Sequence, residues 1–437
     1  MSQEKTPGAS AVYFIFITVL INMIGFGIII PVMPTLIMTV TGEDLAHAAE
    51  WGGRLSLAYA AMQFFMMPVA GALSDRYGRR PVILGSLMAY SLDFLLMAVA
   101  PNMGFLLAGR LLSGAFSATF STANAYIADV TPPEKRAASF GLIGAAFGLG
   151  FIIGPAIGGL LGDHFGPRAP FYAVASLGAI NLVYGYFFLP ETHKRENRRK
   201  FEWKRANALG NFAQFRQYPV ILPIAVCIFL SYLAQWSMPS VWAYYAEERF
   251  HWSPADIGYS LMAVGFGAAI VQGGLTRFVI PALGERVAAF AGVTIAMISY
   301  LGYGLITEGW MFYLIVPLGA LAGFAAPAVQ GIMSRTLPAN AQGELQGAIG
   351  AVMGLSMIIS PYLMTKTFAA FIEPGSSVSL LGYEVLPHGA PFYFPGAPFV
   401  VAALLSAIAL IPLGVATTHM REKPGAKTPP GEASETV

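Results

Sequence analysis

The chain has 437 residues, 56% hydrophobic and 11% charged, with a net charge of +2 and a mean hydropathy of +0.62. Soluble domains carry about twice that share of charge, so the composition excludes a soluble protein and implies an integral membrane one. The small net charge gives no basis for a nucleic-acid partner, and a single cysteine, Cys227, excludes a disulfide framework and a multi-thiolate metal site.

Residues 1–10 are polar and lack the small-residue cleavage pattern of a signal peptide, so they are expected to form a cytoplasmic tail. Apolar runs long enough to cross about 30 Å of hydrocarbon then recur twelve times. They predict helices near 11–40, 51–73, 82–100, 104–127, 138–161 and 169–189, then 219–246, 255–275, 287–306, 309–333, 342–371 and 395–416. Between the sixth and seventh lies a basic linker, 190–218, which contains His193-Lys-Arg-Glu-Asn-Arg-Arg-Lys200. The chain therefore divides into a first half, 11–189, and a second half, 219–416. The Pro/Gly-rich stretch from Glu373 to Pro398 reads as an ordered external loop and residues 417–437 as a disordered cytoplasmic tail.

With both termini in the cytoplasm, all the Lys and Arg residues except Arg54, Arg110, Arg168, Arg249 and Lys366 fall on the inner side. Sliding the sequence by 206 residues lays 141–155 on 347–361 with nine of fifteen positions identical, and sets Gly78 and Arg80 on Gly284 and Arg286. The fold class is thus all-α integral membrane, twelve transmembrane helices in two six-helix pseudo-repeat halves.

Charged and polar residues inside so apolar a chain are the candidates for chemistry. Asp93 lies near the middle of the third span, where a carboxylate costs at least about 2.5 kcal/mol. It is read either as the proton carrier or as a polar anchor between helices. Arg110, about two turns into the fourth span, keeps its charge at any accessible pH and serves proton coupling or a fixed clamp. The loop Gly71-Ala-Leu-Ser-Asp75-Arg76-Tyr-Gly78-Arg79-Arg80-Pro81 reads as a gate latch whose charges pair when the inner gap is shut, or as a solvated turn. Asp129 ends the fourth span within reach of those arginines. Gly148, Gly154, Pro155, Gly158 and Gly159 belong to a small-residue face on the fifth span that allows close helix approach. The amides Asn22, Gln63, Asn124, Gln235 and Gln330, with the aromatic Trp242, are substrate-cavity candidates; each amide can equally join two helices. The six histidines fall in loops or tails, and no metal-ligand cluster or phosphate-binding loop is found.

The loop around Asp75 resembles the signature loop of the major facilitator superfamily, and the fold implied is the major facilitator fold. Gly148 to Gly159 is similar to the motif that marks its antiporters. Gly25 to Leu36, Leu106 to Gly159, Gln235 to Trp252 and Pro327 to Ser334 narrow the resemblance to its tetracycline-exporter group of drug:proton antiporters, over essentially all of 11–416. The resemblance implies a monomer-capable, non-enzymatic exporter in a bacterial inner-type plasma membrane. Its partners are a small amphipathic substrate, protons and the bilayer. No resident cofactor is implied, and a divalent cation enters only as cargo carried with the substrate. Carried over, Asp93 falls on the group's helix-three acid and Arg110 on its helix-four arginine. Asn22 stands where the group has a helix-one aspartate, and Ala296 falls on the helix-nine acidic position. An importer or facilitator of the same fold, and a non-transporting sensor, are the rival readings.

Overall fold

The computed structural model describes residues 9–116, 119–193, 196, 198, 199, 201, 221–336, 342–375, 378–380, 383–386 and 389–418. Both proposed tails, apart from residues at their inner edges, and most of the 190–218 linker lie outside the described residues. Twelve helices are long and apolar enough to span a membrane: α1 Val12–Thr41, α2 Leu45–Tyr77, α3 Arg79–Val99, α4 Met103–Val130, α5 Ala138–Phe165 and α6 Ala169–Phe188 in the first half. The second half holds α7 Leu222–Phe250, α8 Pro254–Leu283, α9 Glu285–Leu305, α10 Gly309–Ser334, α11 Gln346–Ile372 and α12 Ala397–Thr418. Beyond α11 a short antiparallel hairpin, β1 Val378–Leu380 and β2 Tyr383–Leu386, adds strand to the otherwise helical fold.

Local chemistry sets the helix ends. Asp44 caps α2 by accepting the His47 backbone N–H, so the helix starts six residues before the apolar run suggested. Its first turn holds His47, and the last turn of α5 holds His164, so these two histidines are helical rather than in loops. Ser253 and Asp256 form a reciprocal capping box at the start of α8, with Pro254 in the first turn. The turn between α2 and α3 requires Gly78, at φ +106°, and its duplicate between α8 and α9 requires Gly284, at φ +78°. The two halves thus make the same backbone turn at equivalent places.

Contacts between the halves cluster toward one end. Gly159 packs on Pro254, Gly265 on Ile152 and Gly354 on Phe64. Pro155 and Pro361, which the duplication superposes, each present a carbonyl to a glycine of the opposite half, Gly258 and Gly53 respectively. The same end carries a cross-half ion pair, Lys366 Nζ to Glu50 Oε1 at 2.5 Å. Glu50 also accepts from Arg54 at 3.1 Å. Toward the other end, a Cβ placed on Gly71, Gly141, Gly144, Gly148 or Gly350 would meet nothing within 4 Å. An even number of crossings puts the start of α1 and the end of α12 at this end.

Aromatic packing fills the second half's closed end. Trp242 is fully buried and stacks on Phe312 at 4.1 Å between centroids, while its indole N–H donates to Ser260 at 2.8 Å.

Candidate functional site

Asp93 projects from the middle of α3 toward α4 and is fully buried. Room for it exists because residue 109 is glycine: a Cβ there would come within 2.8 Å of Asp93 Oδ1. One residue on, Arg110 turns its guanidinium to the same carboxyl, with Nη2 3.9 Å from Oδ2. That is an ion pair without a hydrogen bond. Neither Asp93 oxygen nor Arg110 Nε has a partner in full hydrogen-bond geometry among the described residues, and the Ser113 hydroxyl faces the Asp93 carboxyl as a donor. Arg110 Nη2 instead donates to the Met97 thioether at 2.5 Å, and its Cζ lies 5.7 Å from the centre of the Tyr59 ring. Buried polar atoms are normally satisfied, so a buried acid beside a guanidinium that is only partly bonded makes this pair a candidate site.

Two small chambers open beside Arg110, and Asp93 lines neither. One, about 100 Å³, lies between the halves and is lined by Arg110, Tyr59, Phe26, Trp236, Tyr244 and Pro361 among others. The second, about 50 Å³, brings Asn22 to Arg110 together with Ser86, Tyr90 and Ser113. Asn22 itself donates to the Thr18 carbonyl one turn earlier on α1, at 2.8 Å. A larger cavity, about 370 Å³, lies inside the second half and takes both Gln235 and Gln330, and Ala296 as well.

The remaining cavity candidates lie elsewhere. Trp242 lines none of these three chambers, because it is consumed by the aromatic core. Gln63 is half-buried on α2 and Asn124 is exposed on α4, and neither lines them. The glycine face of α5 splits in two. Gly154 and Gly158 press on α1 at Ile24 and Ile28, Gly159 presses on α8, and Gly148 stands open.

The charged loop is held by its own half. Arg79 donates to Asp75 at 2.6 Å, to Ser74 at 3.0 Å and to Asp129 at 3.2 Å. Glu191, just past α6, accepts the backbone N–H groups of Arg79 and Arg80 at 2.9 and 3.3 Å and so caps α3. Arg80 reaches the Tyr186 carbonyl, Arg76 lies over the Tyr77 ring, and a Cβ at Gly71 would meet nothing within 4 Å. These bonds all lie within the first half. Sequence reading missed Glu191, because a carboxylate 112 residues from its partner leaves no local signal.

At the closed end, Asp44, His47 and Glu373 bring ligand-type atoms within 4.8 Å of one another. The grouping joins α2 to the end of α11 and was not visible in the sequence, where no such cluster was found. The His47 backbone N–H holds Asp44 below the usual carboxylate range. Burial, then the charge of Asp44, raises Glu373.

Twelve membrane-length helices in two duplicated halves, with a buried acid and guanidinium beside a cavity between them, define a secondary transporter. The family model of the Major Facilitator Superfamily matches residues 15–361, and the chain belongs to that superfamily. It is a transporter in the membrane and not an enzyme. Among its relatives is the tetracycline resistance protein, class C, of Escherichia coli, 38% identical over 361 residues, which are 83% of this chain and 90% of the relative. The class E protein of Escherichia coli is 36% identical over 387 residues, 87% and 94% of the two chains. A crystal structure of the peptide transporter POT in complex with sulfate superposes with a TM-score of 0.73, covering 94% of each chain, at 13% identity. That likeness concerns the fold alone.

Proposed function

We propose that the protein exports small amphipathic drugs, tetracycline-like compounds first among them, in exchange for protons by alternating access. The observation that carries this reading is Asp93, fully buried and 3.9 Å from Arg110, which lines a chamber between the two halves. A carboxyl so placed takes a proton in one orientation of the carrier and releases it in the other, where Arg110 stabilises the charge left behind. The names of the relatives, all tetracycline resistance proteins at 34–38% identity in the closer set, support the direction and the substrate. The loop around Asp75 braces the end of the first half at which the two halves part. Asn22 lies in the chamber beside Arg110 and keeps hydrogen bonding there without a titrating group.

In this reading the open end faces the cytoplasm of a bacterial inner membrane, both termini lie on that side, and one chain is the working unit. The distribution of Lys and Arg supports that orientation. The energy source is the proton gradient. The test is drug-driven proton movement in proteoliposomes with an imposed pH gradient. Wild type moves protons on addition of tetracycline, and Asp93→Asn loses the response. An Asp93→Asn carrier that pumps drug against a gradient as well as wild type would refute the assignment.

A further inference from the structure

Two of the helices in the second half, α8 and α10, depart from α geometry, and both do so on the same cavity. Helix α7 keeps its i→i−4 bonds through Trp236, where its two segments Leu222–Gln235 and Ser237–Phe250 meet. Helix α8 passes through a π turn at Val271–Leu275, and α10 through a 3-10 turn at Ala322–Phe324. Gln272, Ala322 and Gly323, taken from these two turns, line the 370 Å³ cavity, with Gln235 on α7 and Gln330 further along α10. Such turns pull backbone groups off the regular ladder, and π turns gather at functional sites. Within a membrane they are tolerated where the freed groups face a cavity instead of lipid. The irregular backbone therefore marks the cavity as a built polar site.

Its side chains say what it takes. Among the described residues the lining contains no Asp, Glu, Lys, Arg or His. Its polar groups are the amides of Gln235, Gln272 and Gln330 and hydroxyls such as those of Ser299 and Tyr300, set among apolar walls. Amides donate and accept with equal ease, which suits a flat ring system bearing both carbonyls and hydroxyls. A divalent cation finds no carboxylate here, and hard cations want anionic oxygen. A ligand with net charge would be desolvated without a counter-ion. The volume falls within the range of small-molecule sites, about 300–1,000 Å³.

We propose that this second-half cavity is the substrate site, and that its ligand is a flat, carbonyl- and hydroxyl-bearing molecule of no net charge that binds free of any divalent cation. The proposal rests on the drug-export reading and deepens it. The proton groups stay in the first half, and Ala296, where a carboxylate was looked for, is part of the neutral wall.

The test is equilibrium binding of tetracycline to the purified full-length protein in nanodiscs, with excess Mg²⁺ or with EDTA. Equal affinity in the two buffers is expected. Gln272→Leu and Gln330→Leu should each weaken binding about tenfold, the loss of one hydrogen bond with its partner left unpaired. Ser176→Ala, exposed on α6, should leave it unchanged, and Asn22→Ala reports on the other chamber. Gln330→Glu supplies a carboxylate and should make binding Mg²⁺-dependent. Binding that requires Mg²⁺ in wild type, no binding in either buffer, or a loss confined to Asn22→Ala each overturns the proposal. Proton movement on the same preparation separates the two readings. If no compound drives protons, export falls; if tetracycline drives them only with Mg²⁺, export stands and this site falls.

Discussion

Replacing Glu50 by Gln should loosen the closed end of the carrier. Glu50 and Lys366 sit on α2 and α11, in opposite halves, 2.5 Å apart, with side chains 26% and 10% exposed. Breaking a fully buried pair costs about 3–5 kcal/mol, and an exposed pair is worth about 0–1 kcal/mol. With Lys366 nearly enclosed and Glu50 a quarter open, about 1–2 kcal/mol is the reasonable range, or about 5–30-fold in the ratio of states. The Arg54 contact at 3.1 Å leaves Glu50 with a second partner, so Lys366→Met should act in the same direction and no more strongly. The assay is a spin-label distance between Glu43→Cys and Thr307→Cys, at the closed end of each half, with Cys227 replaced by Ala. Both single variants should add a longer-distance population, and the swap Glu50→Lys with Lys366→Glu should remove it. Unchanged distances in both single variants would refute the idea that this pair holds the end shut.

Other consequences are open to measurement. Gly78→Ala places a side chain at φ +106° and against the Glu191 carboxylate, so thermal stability should fall by about 1–3 kcal/mol from backbone strain plus the clash. Gly284→Ala, at φ +78° with nothing nearby, should show the strain alone and cost less. Asp44→Ala removes a helix cap and should cost about 1 kcal/mol at neutral pH. The wild-type advantage at this position is present above the usual Asp value of 3.8 and is lost as pH falls through the lowered value. Melting curves of the two proteins should therefore converge in acid. Trp242→Phe forfeits the bond to Ser260 and should lower stability by about 1 kcal/mol without changing drug affinity, as befits a core residue.

Much of the fold was legible because a membrane imposes it. Spans announce themselves by length and hydropathy, and the duplication is written in 141–155 and 347–361. The pairing of Asp93 with Arg110 was half legible: each stood out as a charge in an apolar run, but their meeting depends on Gly109, which the sequence does not distinguish from other glycines. Trp242 shows the opposite failure. An aromatic in a span serves a core or a cavity equally well, and only the neighbours Phe312 and Ser260 decide. The π turn of α8 carries Gly273 and Gly274, a signal open to reading, yet a glycine pair fits a packing face as readily as a break. Glu191 and the Glu50–Lys366 pair were invisible because their partners lie far along the chain.

The contacts of Pro155 with Gly258 and of Pro361 with Gly53 have a geometric consequence. The prolines are copies of one another and their glycine partners lie one residue out of the duplicated register, since Gly258 falls on Gly52, so the meeting of the halves approximates that of a two-fold dimer whose subunits have been joined into one polypeptide. Such an arrangement supplies two bearings, one on either side of a central axis. Relative motion that keeps both seated is confined to tilting about the line through them, whereas sliding or twisting would unseat at least one. A hinge with a single contact would leave those freedoms open. The duplicated prolines therefore act as a mechanical guide, which commits the carrier to one path between its two orientations.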